Sequence, residues 1–235
     1  MKRRLEKGVA ATALAVLALA VPAHASPAVS ARTQEVLQLE RMVVAHTGPS
    51  ATARPVARVA ATTPLTSAPS MLPVIGRRRG GDGVEWLRVR LPVRPNGTTG
   101  WVRANAGNIL TTPWQIVIRR SARRAEVLEA GTRRATFPVI VGRRSTPTPL
   151  GTFFVVETLH VGRHVEGPWA LATSAYSDVL HEFAGGNGQV ALHGRVGLSE
   201  PLGTFASHGC VRFGNAAITW IARHVGPGAR IVIEP

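Results

Sequence analysis

Ser207-His208-Gly209-Cys210-Val211-Arg212-Phe213-Gly214-Asn215 is the stretch on which the reading of this 235-residue chain turns. It carries the single cysteine of the sequence, with glycine directly before it, a histidine two residues before it and an arginine two residues after it. A thiol acts as a nucleophile only as its thiolate, which cationic neighbours and a nearby helix N-terminus favour. Gly209 allows a tight turn that exposes both the thiol and adjacent backbone N–H groups, and such groups can hold an oxyanion. A cysteine nucleophile also needs a base close to it in space. His193, which ends Val190-Ala191-Leu192-His193-Gly194, is placed at a strand rim for that role, with His208 as the second candidate. Neither has an acidic neighbour in sequence, so a backbone carbonyl or a water would orient the ring. Two other readings stand beside this one: an inert buried cysteine, and a zinc site of Cys210, His193 and His208, for which no fourth ligand is evident.

Outward from this stretch, Asn215 is expected to cap a helix running to about His224, which Gly226 and Pro227 stop. Ala217, Ile218, Ile221, Ala222 and Val225 would form its buried stripe. Upstream, Gln115–Ile118, Ala125–Glu129, Thr136–Val141, Gly151–Val156 and Gln189–Leu192 read as strands, and Arg230–Ile233 as a last one. The expectation for 111–235 is a mainly β domain with one principal helix.

Residues 71–110 are expected to form a separate small β module. Short apolar runs such as Trp86-Leu87-Arg88-Val89-Arg90-Leu91 alternate there with Gly-Gly-Asp-Gly and Pro-Asn-Gly turns, and Asn96-Gly97 is a hairpin signal. Residues 26–70, rich in Ala, Thr and Pro, read as a linker, with a short amphipathic helix over Arg32–Ala45 from the spacing of Val36, Leu39 and Val43. Residues 1–25 read as an export signal: Lys2, Arg3, Arg4 and Lys7 precede the apolar run Val9–Val21, and Ala23-His24-Ala25 is a small-x-small cleavage site. That run is short for a membrane span, and no later segment is expected to span one; a retained N-terminal anchor is the alternative. An exported protein with one unpaired cysteine is unusual, because the compartment is oxidising.

The chain carries 28 Lys+Arg against 13 Asp+Glu. Without residues 1–25 the balance is 24 against 12, every cation being arginine. Such a charge suits an anionic cell-wall polymer. The arginines are scattered in pairs without aromatic interleaving, which argues against nucleic acid.

Val190-Ala191-Leu192-His193-Gly194, Ser207-His208-Gly209-Cys210-Val211-Arg212 with Asn215, and Ser145–Phe153 together resemble the signature of the L,D-transpeptidase (YkuD-type) catalytic domain. The 71–110 module resembles the bacterial SH3-like barrels that often accompany wall enzymes. The resemblance implies a small SH3-like barrel followed by a β-sandwich-like L,D-transpeptidase domain. Cys210 would be the nucleophile and His193 the general base, oriented by the Gly194 carbonyl, with His208 shaping the pocket. Backbone N–H groups of Gly209 and Cys210 would form the oxyanion hole. Ser207 would support the turn, Asn215 would join the substrate-binding residues, and Arg212 would bind or screen a substrate carboxylate and favour the thiolate. The implied activity is acyl transfer from peptidoglycan stem peptides, by a secreted monomer that uses neither cofactor nor metal. An L,D-carboxypeptidase and a non-catalytic wall-binding protein are the alternatives.

Overall fold

The computed structural model describes residues 33–235, so the expected export signal, residues 1–25, lies outside the described residues. They form two large sheets, each on its own core, and one two-stranded pair. The first contains β1 (Gln34–Leu39), β2 (Val43–His46), β3 (Pro55–Val59), β4 (Met71–Arg79), β5 (Glu85–Arg90), β6 (Thr99–Arg103) and β7 (Gly107–Thr112). Its strand order is β3-β2-β6-β5-β4-β1-β7.

The expected linker and its helix are corrected here, because β1 to β3 occupy that stretch and β1 lies between β4 and β7. The three-to-four spacing of Val36, Leu39 and Val43 bridges two short strands across the Glu40–Met42 turn. Within the strands, residues of the first core follow period two, as Leu37 with Leu39 and Val43 with Ala45, while Val36 is buried on the other face of β1. The module therefore begins near Gln34, and it is a seven-stranded sheet rather than a 71–110 unit.

Pro113 alone separates β7 from the second sheet. That sheet is built from β8 (Trp114–Arg119), β9 (Arg124–Glu129), β10 (Thr132–Pro138), β12 (Gly151–His160), β13 (Trp169–Tyr176), β14 (Gln189–His193), β16 (Val211–Arg212) and β17 (Arg230–Glu234). The order is β10-β9-β8-β17-β12-β13-β14-β16, and a separate pair joins β11 (Val141–Gly142) to β15 (Phe205–Ser207). The single helix of the described residues, α1, spans Asn215–His224 and buries Ile218 and Ile221 against the sheet. Its cap is Gly214 in extended geometry, without a side-chain bond, and not Asn215. The fold is mainly β with one helix, as the sequence pattern predicts.

β12 joins the two cores. Phe153 and Val155 pack in the core of the second sheet, while Phe154 packs in that of the first, with Val156 against it. Alternation along one strand thus sends neighbouring side chains into different cores. Glu157, on the same strand, is buried, and its carboxylate accepts from Thr66 N (3.0 Å) and Thr66 Oγ1 (2.9 Å).

Candidate active site

Cys210 and His193 are carried to neighbouring strands because β14 and β16 run parallel, with Leu192 opposite Val211 and His193 opposite Arg212. One step back, that register sets Cys210 beside Ala191, and the Ala191 N–H points at Cys210 Sγ (3.4 Å). His193 is buried, 5 % exposed, at the end of β14. Its Nδ1 lies 2.7 Å from the Gly194 carbonyl oxygen. Only a protonated Nδ1 can bond a carbonyl, which leaves Nε2 as the basic nitrogen of the neutral ring. Gly194 is required here: a Cβ would stand 2.0 Å from the Gly167 carbonyl oxygen.

The turn that carries the thiol is tied from below. Ser207, fully buried, donates its hydroxyl to the Cys210 carbonyl (2.6 Å) and accepts from Gly209 N (3.2 Å). Thr148 Oγ1 donates to the Gly209 carbonyl (2.8 Å) while accepting from Gly142 N (2.8 Å). The Arg143 N–H bonds the Ser207 carbonyl (3.0 Å), and Thr146 Oγ1 approaches the same oxygen (3.4 Å). Gly209 itself sits at φ 124°, a conformation glycine adopts without strain. The residues 142–148 are thus a cradle for the cysteine turn. The Ser145–Phe153 motif marks the segment in the sequence, but nothing in it identifies Thr146 and Thr148 as the residues that hold the turn.

These bonds correct the expected oxyanion hole. The Gly209 N–H is engaged by Ser207 Oγ (3.2 Å). The Cys210 N–H has no acceptor among the described residues and remains free to meet developing negative charge.

Arg212 points to an acidic partner that sequence spacing does not reveal. Its guanidinium pairs with Glu200 at 2.9 Å, and the arginine side chain is 13 % exposed. Asn215, expected among the substrate-binding residues, turns its Oδ1 to Arg195 N (2.7 Å) and so holds the chain just beyond His193. His208 stacks on Phe183 (centroids 4.9 Å apart, planes at 29°) and has no hydrogen-bond partner among the described residues. Its ring is therefore placed by stacking, whereas that of His193 is placed by a carbonyl.

The electrostatics set the resting protonation. Burial pushes the Cys210 thiol up from its ordinary value; the Ala191 N–H and Arg212 oppose this, and Glu166 adds to it. Burial lowers His193 as well, with Arg212 acting the same way and Glu166 and the Gly194 bond against. His208 is lowered too, by burial first and then by Arg143 and Arg212. Both directions favour the uncharged forms, a thiol and a neutral imidazole, and burial works against the thiolate that the flanking cations favour. Among the described residues, no group of three or more His, Cys, Asp or Glu side chains gathers as a metal site.

A mainly β protein with a cysteine and a carbonyl-oriented histidine on adjacent parallel strands defines a class of Cys–His site at a sheet rim. Residues 113–233, just over half of the sequence, match the family model of the L,D-transpeptidase catalytic domain (YkuD). The chain belongs to the L,D-transpeptidase (YkuD) family and is an enzyme of that family. No curated protein sequence matches it significantly. Among solved structures it is similar to L,D-transpeptidase 3 from Mycobacterium tuberculosis in complex with a faropenem-derived adduct, at 14 % identity over 85 % of this chain and 95 % of that one, with a TM-score of 0.47. It is also similar to an L,D-transpeptidase from Mycobacterium smegmatis, at 16 % identity over 64 % and 90 %, with a TM-score of 0.40. Bdellovibrio bacteriovorus Bd1075 aligns at 25 % identity over 52 % and 47 %, with a TM-score of 0.41.

Proposed function

We propose that this protein is a secreted peptidoglycan L,D-transpeptidase that works through Cys210 and His193. The observation that carries the reading is the His193 Nδ1 bond to the Gly194 carbonyl beside the Cys210 turn, which aims a basic Nε2 from a buried strand end. Cys210 Sγ attacks the carbonyl carbon of the third residue of a tetrapeptide stem, and His193 Nε2 takes the thiol proton. The oxyanion is met by the Cys210 N–H. His193 then gives its proton to the leaving amine, the bond to the terminal D-alanine breaks, and a thioester remains on Cys210. An amine of a second stem attacks the thioester, His193 removes its proton and returns it to the departing sulfur, and a three-to-three cross-link results. No cofactor or metal enters these steps. Water in place of the amine would give the carboxypeptidase product.

Stem peptides and the anionic wall polymer are the proposed partners, and the cell wall is the proposed location. The arginine excess and the N-terminal pattern of residues 1–25 support this. Incubation with a defined disaccharide-tetrapeptide, read by mass spectrometry, is the deciding experiment. Loss of one D-alanine with a dimeric product is expected, and none from Cys210→Ala. Intact tetrapeptide after incubation with the folded wild type would leave a wall-binding role instead. A carbapenem, as an acyl-donor mimic, is expected to add its mass to wild type and not to Cys210→Ala.

A further inference from the structure

We infer that Arg94, on the first sheet's β5–β6 loop, is a positioning residue for the acyl-donor side of the active site. The inference rests on the acyl-transfer reading above only for its kinetic consequence. Its structural part is independent of that reading.

The loop 177–188 leaves β13 and returns into β14, and its tip reaches the cysteine turn. At the tip Phe183 and Gly186 exchange two backbone hydrogen bonds of 2.9 Å across Ala184 and Gly185, both at positive φ. This tight hairpin presents the Phe183 ring to His208, two residues before Cys210. Phe183 is 48 % exposed, so little of its own burial holds it there.

The feet of the loop are held from the other sheet. Arg94 Nη1 donates to the Ser177 carbonyl (2.8 Å), and Nη2 donates to the carbonyls of Leu180 (3.1 Å) and Asn187 (3.2 Å). One guanidinium therefore ties both legs together. It also lies over the Tyr176 ring, 4.9 Å from the centroid. Two residues on, Asn96 grips the same strand end, donating to the Tyr176 carbonyl (2.7 Å) and accepting from Tyr176 N (2.9 Å). The approach is close enough to require glycine at 188: a Cβ there would stand 2.0 Å from the Leu180 carbonyl oxygen and 2.9 Å from Arg94 Nη2. A planar fork of charged donors fits three carbonyls at once, and a lysine ammonium does not reproduce it. Arg94 fixes the loop, the loop fixes Phe183, and Phe183 walls the site beside His208.

The test uses the full chain with Arg94→Ala, Arg94→Lys and Phe183→Ala. Amide hydrogen exchange reads the clamp without any catalytic activity. In both Arg94 variants, peptides within 177–188 are expected to exchange about tenfold faster or more, with β8, β12 and β17 unchanged. Arg94→Lys is the milder change and keeps the test valid should Arg94→Ala unfold. Carbapenem acylation of Cys210 is expected to weaken about tenfold in apparent donor affinity, with the limiting acylation rate within about twofold of wild type. Phe183→Ala is expected to match that kinetic loss while the loop feet stay protected. Iodoacetamide alkylation of Cys210 should be unchanged in all three. Wild-type exchange at 177–188 in both Arg94 variants would overturn the clamp. Faster exchange with unaltered donor affinity would overturn its role at the site. A wild type that alkylates but accepts no acyl donor would defeat the acyl-transfer reading, and the exchange result would still judge the clamp.

Discussion

At Cys210 two influences oppose each other: burial raises the thiol, and the Ala191 N–H and Arg212 lower it, with burial the larger. In the proposed mechanism a cysteine so placed gives up its proton as it attacks, which makes the proposed base, His193, the more important. General-base catalysis is worth ~10²- to 10⁴-fold. His193→Ala is expected to lose at least ~10²-fold in acylation rate on that scale, and His208→Ala much less, since stacking alone places its ring. Equal losses would show that His208 shares the proton transfer. The pH dependence follows from the same directions. Protonated His193 cannot accept a proton, and burial resists that protonation, so acylation should hold its rate as pH falls to the ordinary histidine value of 6.5 and decline only below it. Iodoacetamide alkylation of Cys210, followed from pH 5 to 10, should rise toward alkaline pH with no plateau near neutrality. A neutral plateau would reveal a preformed thiolate. Cys210 and His193 were the most legible features of the sequence, because a glycine-flanked thiol and a strand-end histidine announce themselves. The thiol's protonation was not legible, since it depends on burial and on Glu166, which stands 44 positions away in the chain.

The elements around the site explain its rigidity. Thr148 is fully buried between the Gly142 N–H and the Gly209 carbonyl, so its hydroxyl closes a bridge from β11 to the cysteine turn. Thr148→Val keeps the shape and leaves two buried backbone groups unpaired, at a cost of ~1–3 kcal/mol each at most. Urea unfolding is expected to show a total loss of at most ~2–6 kcal/mol, with Thr148→Ser restoring much of it. An unchanged midpoint would mean that water replaces the hydroxyl. Most strands of the second sheet were readable from their apolar runs, and α1 from its stripe and its Gly-Pro stop, but β13 (Trp169–Tyr176), with its Ala, Thr and Ser residues, and the two-residue β16 were missed. The cap was misread for a physical reason. Asn215 has the right chemistry for a cap, but it spends its side-chain oxygen on Arg195 N, and the backbone of Gly214 enters the helix without side-chain help. The first three strands were hidden because each is short, and a turn between two of them mimics helical spacing.

Across the whole molecule, β12 contributes side chains to the cores of both sheets. Phe154 is 1 % exposed within the first sheet's core while its neighbours Phe153 and Val155 serve the second. Removing such a ring costs ~3–5 kcal/mol. Phe154→Ala is expected to lower stability by that amount and to do so in a single transition, seen alike by tryptophan fluorescence and far-ultraviolet circular dichroism. Two separated transitions would show that the sheets unfold independently. The junction was not visible in the sequence: Phe153-Phe154-Val155-Val156 reads as one buried strand, and nothing local says that its two faces belong to different cores.

β17 pairs with β8 on one side and β12 on the other, and it is the strand that connects the two halves of the second sheet. Arg230 bonds the Gln115 side chain at 2.6 Å across 115 residues of chain. During synthesis, a nascent chain that has not reached Arg230 therefore carries two unjoined half-sheets, with the edges of β8 and β12 open. Loop closure over that length is entropically costly, and unpaired edges invite other partners. The second sheet therefore cannot close from within either half: its two parts stay unjoined until Arg230–Glu234 has been made and can slot between them.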